Sequence, residues 1–525
     1  MGNKRKPVKG KVLAVMLIAS LFIGFASVMG NTTAITPVSS DALDMSGAID
    51  IGDPFGVCHG GNIAFMKEIG INLTRNDITW TGIEPLDDNW QWGGWDSHVG
   101  NLQANDLRVL PILDYSNPAV QHNHTSYNVI WSDYDINEWL EYVDNCVERY
   151  YTNNSNYVDT WEIWNEPNIG EPNWWNPGFW TGTDDQFFEL QKRTAANLTA
   201  NPLLTDLKIM SSGISGHNPD YLSAMFEYGA MENIDILAFH PYSGSSYDSL
   251  DVKINEVKDV CTKYDFNGEI WITEVGMATA FNTSEPDFEE KYKTSLDLQG
   301  TLVPKVYAIS LAMGIEHVVW YCLFDGNNWT WGEHNFGLAY DSSNVKKPAD
   351  YQNETLKPAG HAYKAIAHNL NHSKYIPNGV QYNNAFLSSS WLRSFYFLRG
   401  NRITVICWNA ANLPVEAKIP LPAGSQVQII SSPSYREKDS VNYSTTADMN
   451  KISVTFDFDP KILLIDLPLS SDPIPIQMEF EFTFYDFTLI IAIPSLAGLC
   501  IVMFVVRSGI FKKKKGSPDQ MGKTE

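Results

Sequence analysis

Between about residues 50 and 370, short apolar runs alternate with amphipathic segments, and the alternation occurs eight times. The runs are "DPFGVCH", "INLTRND", "LRVLPILDY", "VDTWEIWNEP", "LKIMSSG", "IDILAFHPY", "EIWITEVG" and "IEHVVWYCLF". This order is the signature of βα units around a parallel sheet. Helical stretches lie between most of the runs. "INEWLEYVDNCVERYY" follows the third and "LDVKINEVKDVCTKY" the sixth. "TDDQFFELQKRTAANL" follows the fourth and opens with Thr183 and Gln186 at capping-box spacing. Eight such units predict an α/β chain folded as a (β/α)8 barrel with long loops. The competing arrangement, an open doubly wound sheet, calls for a Gly-rich phosphate loop after the first strand, and the sequence has none there.

The texture changes after the barrel. Over 375–468, alternating runs such as "WLRSFYFL", "RITVICW", "VQIISS" and "KISVTFDF" predict an accessory antiparallel, sandwich-like β-domain. Residues 469–486 read as a Pro-rich linker. Residues 487–506, "FTLIIAIPSLAGLCIVMFVV", are uncharged and long enough to span a bilayer as a transmembrane helix. The tail 507–525, with Arg507 and Lys512 to Lys515, makes the cytoplasmic side its expected location. At the other end, Lys4, Arg5, Lys6, Lys9 and Lys11 precede "VLAVMLIASLFIGFASVMG", so residues 1–30 read as a signal peptide, with an uncleaved anchor as the alternative. The expected location is the cell membrane, single-pass, with the barrel outside.

Charge and cysteine usage narrow the function classes. The net charge is −24; residues 1–11 contribute +5 and 507–525 contribute +4, leaving −33 on the rest. Such a surface argues against nucleic acid and against docking on anionic lipid. Ten Asn-X-Ser/Thr sequons fit an exported glycoprotein. The six cysteines are scattered without a C-x-x-C pair, which points to no metal, redox centre or cofactor. Cys58 and Cys322 fall near the ends of strands one and eight, neighbours in a closed barrel, where a disulfide is allowed outside the cell.

The chemistry sits at two strand ends. Strand four finishes in Asn165-Glu166-Pro167 and strand seven in Glu274. An ionised carboxylate beside Trp164 is unfavourable unless exposed, paired or used. In a barrel both glutamates lie on the face where active sites assemble. Two carboxylates flanking one bond are the apparatus of glycoside hydrolysis.

"WNEPN" and "TEVG" resemble the strand-four and strand-seven signatures of the clan A retaining glycoside hydrolases, families 39 and 5 in particular. The resemblance covers most of 50–370. It implies that Glu166 is the acid/base and Glu274 the nucleophile. In "GINLTRNDITWTGIEP", Arg75 stands where the clan has an Arg beside the nucleophile. In "HPY", His240 and Tyr242 would line the site, with Tyr242 touching the nucleophile. Trp320 would form a floor for the sugar, and Asn165 would bond its 2-hydroxyl. The chain departs from family 5 at "ILDYSNP", which offers Asp114 and Tyr115 where that family commonly has His.

His59 and Asp114, at strand tips one and three, are further candidates for sugar hydroxyls. Trp174, Trp175, Trp180, Trp329 and Trp331 lie in loops where stacking platforms belong. The resulting expectation is a retaining glycosidase with an oligo- or polysaccharide substrate. A transglycosidase using the same residues and a catalytically silent carbohydrate-binding envelope protein are the alternatives.

Overall fold

The computed structural model describes residues 45–122, 129–170, 178–279, 288–327, 332–340, 353–382, 392–411, 414–446, 450–468 and 478–482, all within one compact unit. The expected signal peptide, membrane span and tail lie outside the described residues, as do Trp174, Trp175, Trp329 and Trp331. Among the described residues no helix is long and apolar enough to cross a membrane.

All eight apolar runs form parallel strands: β1 Phe55–Cys58, β2 Leu73–Thr79, β3 Arg108–Asp114, β4 Thr160–Ile163, β5 Lys208–Met210, β6 Ile236–His240, β7 Glu269–Val275 and β8 Val318–Trp320. Neighbours run β5-β4-β3-β2-β1-β8-β7-β6, and Met210 of β5 against Ile236 of β6 closes the ring. A two-residue strand, Ile214–Ser215, follows β5 and pairs with Phe239–His240 at the end of β6.

Helices follow the strands. Asp184–Ala200 after β4 begins with the expected capping box: the Thr183 hydroxyl accepts from Gln186 N, and the Gln186 side chain accepts from Thr183 N. Ser132 caps Asp133–Tyr150 after β3, and Asn218 caps Pro219–Tyr228 after Ile214–Ser215. Each cap satisfies an otherwise orphaned N–H at the helix start.

The barrel interior is layered. Cys58, Leu73, Leu110, Met210, Ile236, Ala238, Trp271 and Val319 form one apolar cluster. Two residues further along three of these strands, on the same face, stand Arg75, His240 and Thr273. The side-chain period of two therefore lifts the interior from a dry plug to a polar layer at the carboxyl ends.

The expected β-domain is present, with two differences from its expected bounds. Its larger sheet joins strands 374–375, 392–399, 402–409, 461–466, 426–431 and 441–444, and its edge strand, Ile49–Asp50, comes from in front of the barrel. Its smaller sheet includes Met478–Phe482, paired with Val380–Tyr382 and Val415–Pro420. Part of the stretch expected as linker is thus sheet. Backbone N–H and C=O groups find partners there that a spacer would leave to water.

The domain is fastened to the barrel helices by a charged knot. Asp248 accepts from Trp408 Nε1 at 2.9 Å and pairs with buried Lys305 at 3.3 Å, while Arg393 pairs with Asp251 at 2.9 Å. A buried ammonium is tolerated because it is paired.

The disulfide that the sequence allows between Cys58 and Cys322 is not formed. All five described cysteines are free. The Cys58 thiol is directed at Thr273 O and that of Cys322 at Phe324 O, so each is spent on a different carbonyl.

Candidate active site

Arg75 organises the polar layer. It is buried, and its Nε and Nη2 clamp the Glu162 carboxylate at 2.6 and 3.0 Å. Nη2 also donates to Asn165 Oδ1 at 2.9 Å, and Nη1 reaches Glu274 Oε2 at 3.1 Å. One planar guanidinium thereby ties together β2, β4 and β7, a task its rigid fork suits. Glu162 is fully buried and is not among the residues that the strand-end motifs single out. The signal was present: a Glu in the middle of "TWEIW" has to be paired if the strand is buried.

Backbone irregularity aims the two strand-end carboxyls. Trp164 and Glu166 have φ of 69° and 44°, the left-handed region, rare for side chains of this size. That turn brings Glu166 against His240, while its N–H bonds Gly213 O. Trp164 stays buried beneath, edge-on to Tyr115 and Trp180. On β7 the register against β8 shifts between Ile272 and Val275. A bulge of this kind places two consecutive residues on one side, and both Thr273 and Glu274 reach the site.

The two carboxyls meet around His240. Its Nδ1 lies 2.8 Å from Glu166 Oε1 and 3.8 Å from Glu274 Oε2. Because both distances run from one nitrogen, the two oxygens are at most 6.6 Å apart, the two lengths laid end to end. Glu274 also accepts from the Tyr242 hydroxyl at 2.7 Å.

Burial pushes the Glu166 carboxyl up to about 7, opposed by Arg75 and a hydrogen bond from Ser215, with Glu333 adding to the rise. Burial raises Glu274 as well; His240, Arg75 and the Tyr242 hydroxyl work against the rise, while Glu166 adds to it. Burial brings His240 down to about 4, so its ring is neutral near pH 7.

The remaining expected residues divide. Asn165 is clamped between Arg75 and the Tyr115 hydroxyl, which its Nδ2 meets at 3.2 Å. His59 is half-exposed at the tip of β1, 3.7 Å from Asp77. Four expectations change. His240 has no exposed surface, so it supports the carboxyls from behind and offers no face to a sugar. Trp320 is also fully buried, its Nε1 on Phe336 O, and has no free face for a sugar. Asp114 is buried and meets no donor. Burial, and after it the negative charge of Asp77, push the Asp114 carboxyl well up. Asp77, not among the residues that the sequence singles out, is the partly exposed member of the pair. Trp180 is buried against Trp164 and Phe187, which is packing and not a platform.

Further out, buried Lys357 bonds Asp325, Thr279 and Asn335 O at 2.9–3.1 Å. It ties the loop after β8 to the segment after β7. Among the described residues, one acidic group is close enough to hold an ion: Glu84, Asp87 and Asp88, in the loop after β2. Glu84 is already occupied there by Trp80 Nε1 and Asp88 N.

No protein-family profile matches the sequence, and no curated protein matches it. Solved structures do resemble the fold. A family 39 glycoside hydrolase from Bacteroides cellulosilyticus WH2 aligns over 79% of this chain and 81% of its own, with a TM-score of 0.59 and 17% identity. A family 30 endoxylanase from Clostridium papyrosolvens C71 aligns over 80% and 97%, at 0.53 and 14%. A glucosidase from Croceicoccus marinus aligns over 80% and 96%, at 0.54 and 12%. The shared feature is the fold. It is a TIM barrel with a β-domain, and the polar layer described above lies at the carboxyl ends of its strands.

Proposed function

We propose that the protein is a retaining glycoside hydrolase that cleaves O-glycosidic bonds of extracellular or cell-surface glycans by double displacement. The observation that carries this reading is the spacing of Glu166 and Glu274 around one His240 nitrogen, at most 6.6 Å between oxygens. The bound applies to one pair of oxygens; it admits the ~5–5.5 Å of retaining enzymes, while most of the ~6.5–9.5 Å that inverting enzymes leave for a water lies beyond it.

In this reading Glu274, oriented by Arg75 and Tyr242, attacks the anomeric carbon. Glu166, kept protonated by burial, gives its proton to the leaving oxygen. It then takes a proton from the water that releases the sugar. Arg75 fixes Asn165 beside both, where its amide can meet the 2-hydroxyl. Hydrolysis of chromogenic α- and β-glycosides and of polysaccharides by the purified protein tests the proposal. The α-configured product formed first from an α-glycoside, or the β-product from a β-glycoside, supports retention. Inverted product, or no cleavage across the panel, rejects the proposal.

The raised carboxyls predict a bell-shaped kcat/KM. Glu166 is active as the acid form, so the rate falls as pH rises through about 7. Glu274 is active ionised, so the rate climbs only above the ordinary carboxylate range, because burial has raised it. A profile flat through pH 7 would remove Glu166 from the acid role.

Membrane tethering through 487–506 belongs to the same proposal, motivated by that apolar run and Lys512 to Lys515 after it. Protease added to intact cells should release the barrel and leave an epitope fused after Glu525 protected. Loss of the epitope would reverse the orientation.

A further inference from the structure

The geometry points to Thr273 as a positioning residue that fixes the tautomer of His240, keeping a hydrogen on Nδ1 to donate to Glu166 through both halves of the reaction. This rests on Glu166 being the acid/base. The Thr273 hydroxyl lies 3.0 Å from His240 Nε2 and 3.3 Å from Glu162 Oε1, and it has one hydrogen to give. Two arrangements are open. In one, Thr273 donates to Glu162 and accepts from Nε2–H, which leaves a lone pair on Nδ1 facing Glu166. In the other, Thr273 donates to Nε2, and the ring hydrogen sits on Nδ1.

Two observations and one requirement of the proposed reaction favour the second arrangement. The contact to Glu162 is long for an O–H···O bond, which is ordinarily ~2.7–2.8 Å. Glu162 Oε1 already accepts from Arg75 Nη2 and from Gly213 N–H at 3.1 Å. Glu166 must become a carboxylate in mid-reaction, and a lone pair 2.8 Å away would then oppose it, whereas N–H stabilises it. With the hydrogen on Nδ1, Glu166 Oε1 accepts in either protonation state, and Oε2 is left to carry the catalytic proton.

The surroundings hold this arrangement in place. A Cβ on residue 213 would come 2.3 Å from His240 Nε2 and 2.7 Å from Glu162 Oε1, so glycine there keeps space for the contact. The charged and titratable groups facing the ring are Glu162 and Glu166 from β4 and its tip, Glu274 from β7 and Arg75 from β2. Glu166 is faced in addition by Ser215 and Glu333. None of these offers Nε2 a donor: Arg75 is taken up by two glutamates and Asn165, Glu166 and Glu274 face Nδ1, and the Glu162 carboxylate only accepts.

Thr273→Val keeps the shape and removes the hydroxyl. Nε2 then faces only the negative field of Glu162, which draws the ring hydrogen to that side. Glu166 loses its donor, its carboxylate is less stable, and the alkaline limb of kcat/KM should move up by about one pH unit. Thr273→Ser should restore the wild-type profile.

The decisive readout needs no substrate. Protein labelled with ¹⁵N in histidine, with the His240 signals identified by their loss in His240→Gln, reports which ring nitrogen carries hydrogen. Nδ1–H in the wild type and in Thr273→Ser, with a shift to Nε2–H in Thr273→Val, is the expected result. Nε2–H in the wild type overturns the inference, as does an unchanged tautomer and alkaline limb in Thr273→Val. If Thr273→Val fails to fold, the wild-type tautomer still decides. Because the tautomer is read in the free protein, its failure is distinct from a failure to cleave glycosides.

Discussion

Glu166→Ala is expected to lose on the order of 10²–10⁴-fold in rate on glycosides with poor leaving groups, and much less in the first step on activated aryl glycosides. The asymmetry follows from the site. Glu166 holds its proton up to about pH 7 because it is buried, so it can protonate a leaving oxygen that cannot depart as an anion. An activated phenolate departs without that help. Its glycosyl-enzyme then lacks a base, so the intermediate should accumulate, and azide should relieve the block because it attacks without losing a proton. The azide product should keep the substrate's anomeric configuration, as double displacement requires. A 2-fluoro glycoside with a good leaving group should label Glu274 in the wild type. Equal loss on every substrate without azide rescue would mean that Glu166 only supports the strand end. Label on another residue would displace Glu274.

Arg75→Met is expected to cost about 3–5 kcal/mol of stability, because it strands a buried carboxylate at Glu162. Glu162 has no exposed surface, and Arg75 supplies two of its donors. The second part of this prediction separates folding from chemistry. Adding Glu162→Gln removes the stranded charge, so the double variant should recover most of the lost stability. It should not recover activity, since Glu274 and Asn165 would still lack the guanidinium that orients them. Denaturant unfolding and aryl glycoside kinetics measure the two effects. Activity returning together with stability would make Arg75 a structural ion pair alone.

The sequence by itself determined the architecture. Eight apolar runs in βα order became eight parallel strands, and the Thr183–Gln186 spacing became a capping box. Both features are local: a period, a run length and a pair three residues apart are visible without knowing where the chain goes. The positions of Glu166 and Glu274 at strand ends were legible for the same reason.

What each side chain touches was decided only by the tertiary structure. Strand alternation alone does not turn Thr273 and Glu274 to the same side; the bulge between β7 and β8 does, and a bulge depends on both strands. Nor does alternation show that His240 is sealed behind Glu166, or that Trp320 is fully covered, since burial is set by what packs over a residue. Glu162 reads in the sequence as one acidic residue in an apolar strand. It becomes the anchor of the site because Arg75, 87 positions earlier, is brought onto it by barrel closure. The edge strand Ile49–Asp50 joins a sheet whose next member is Lys374–Tyr375, more than 300 residues later. Pairings of that range carry no short-period signal, because the hydrogen bonds that define them connect segments with no fixed sequence spacing.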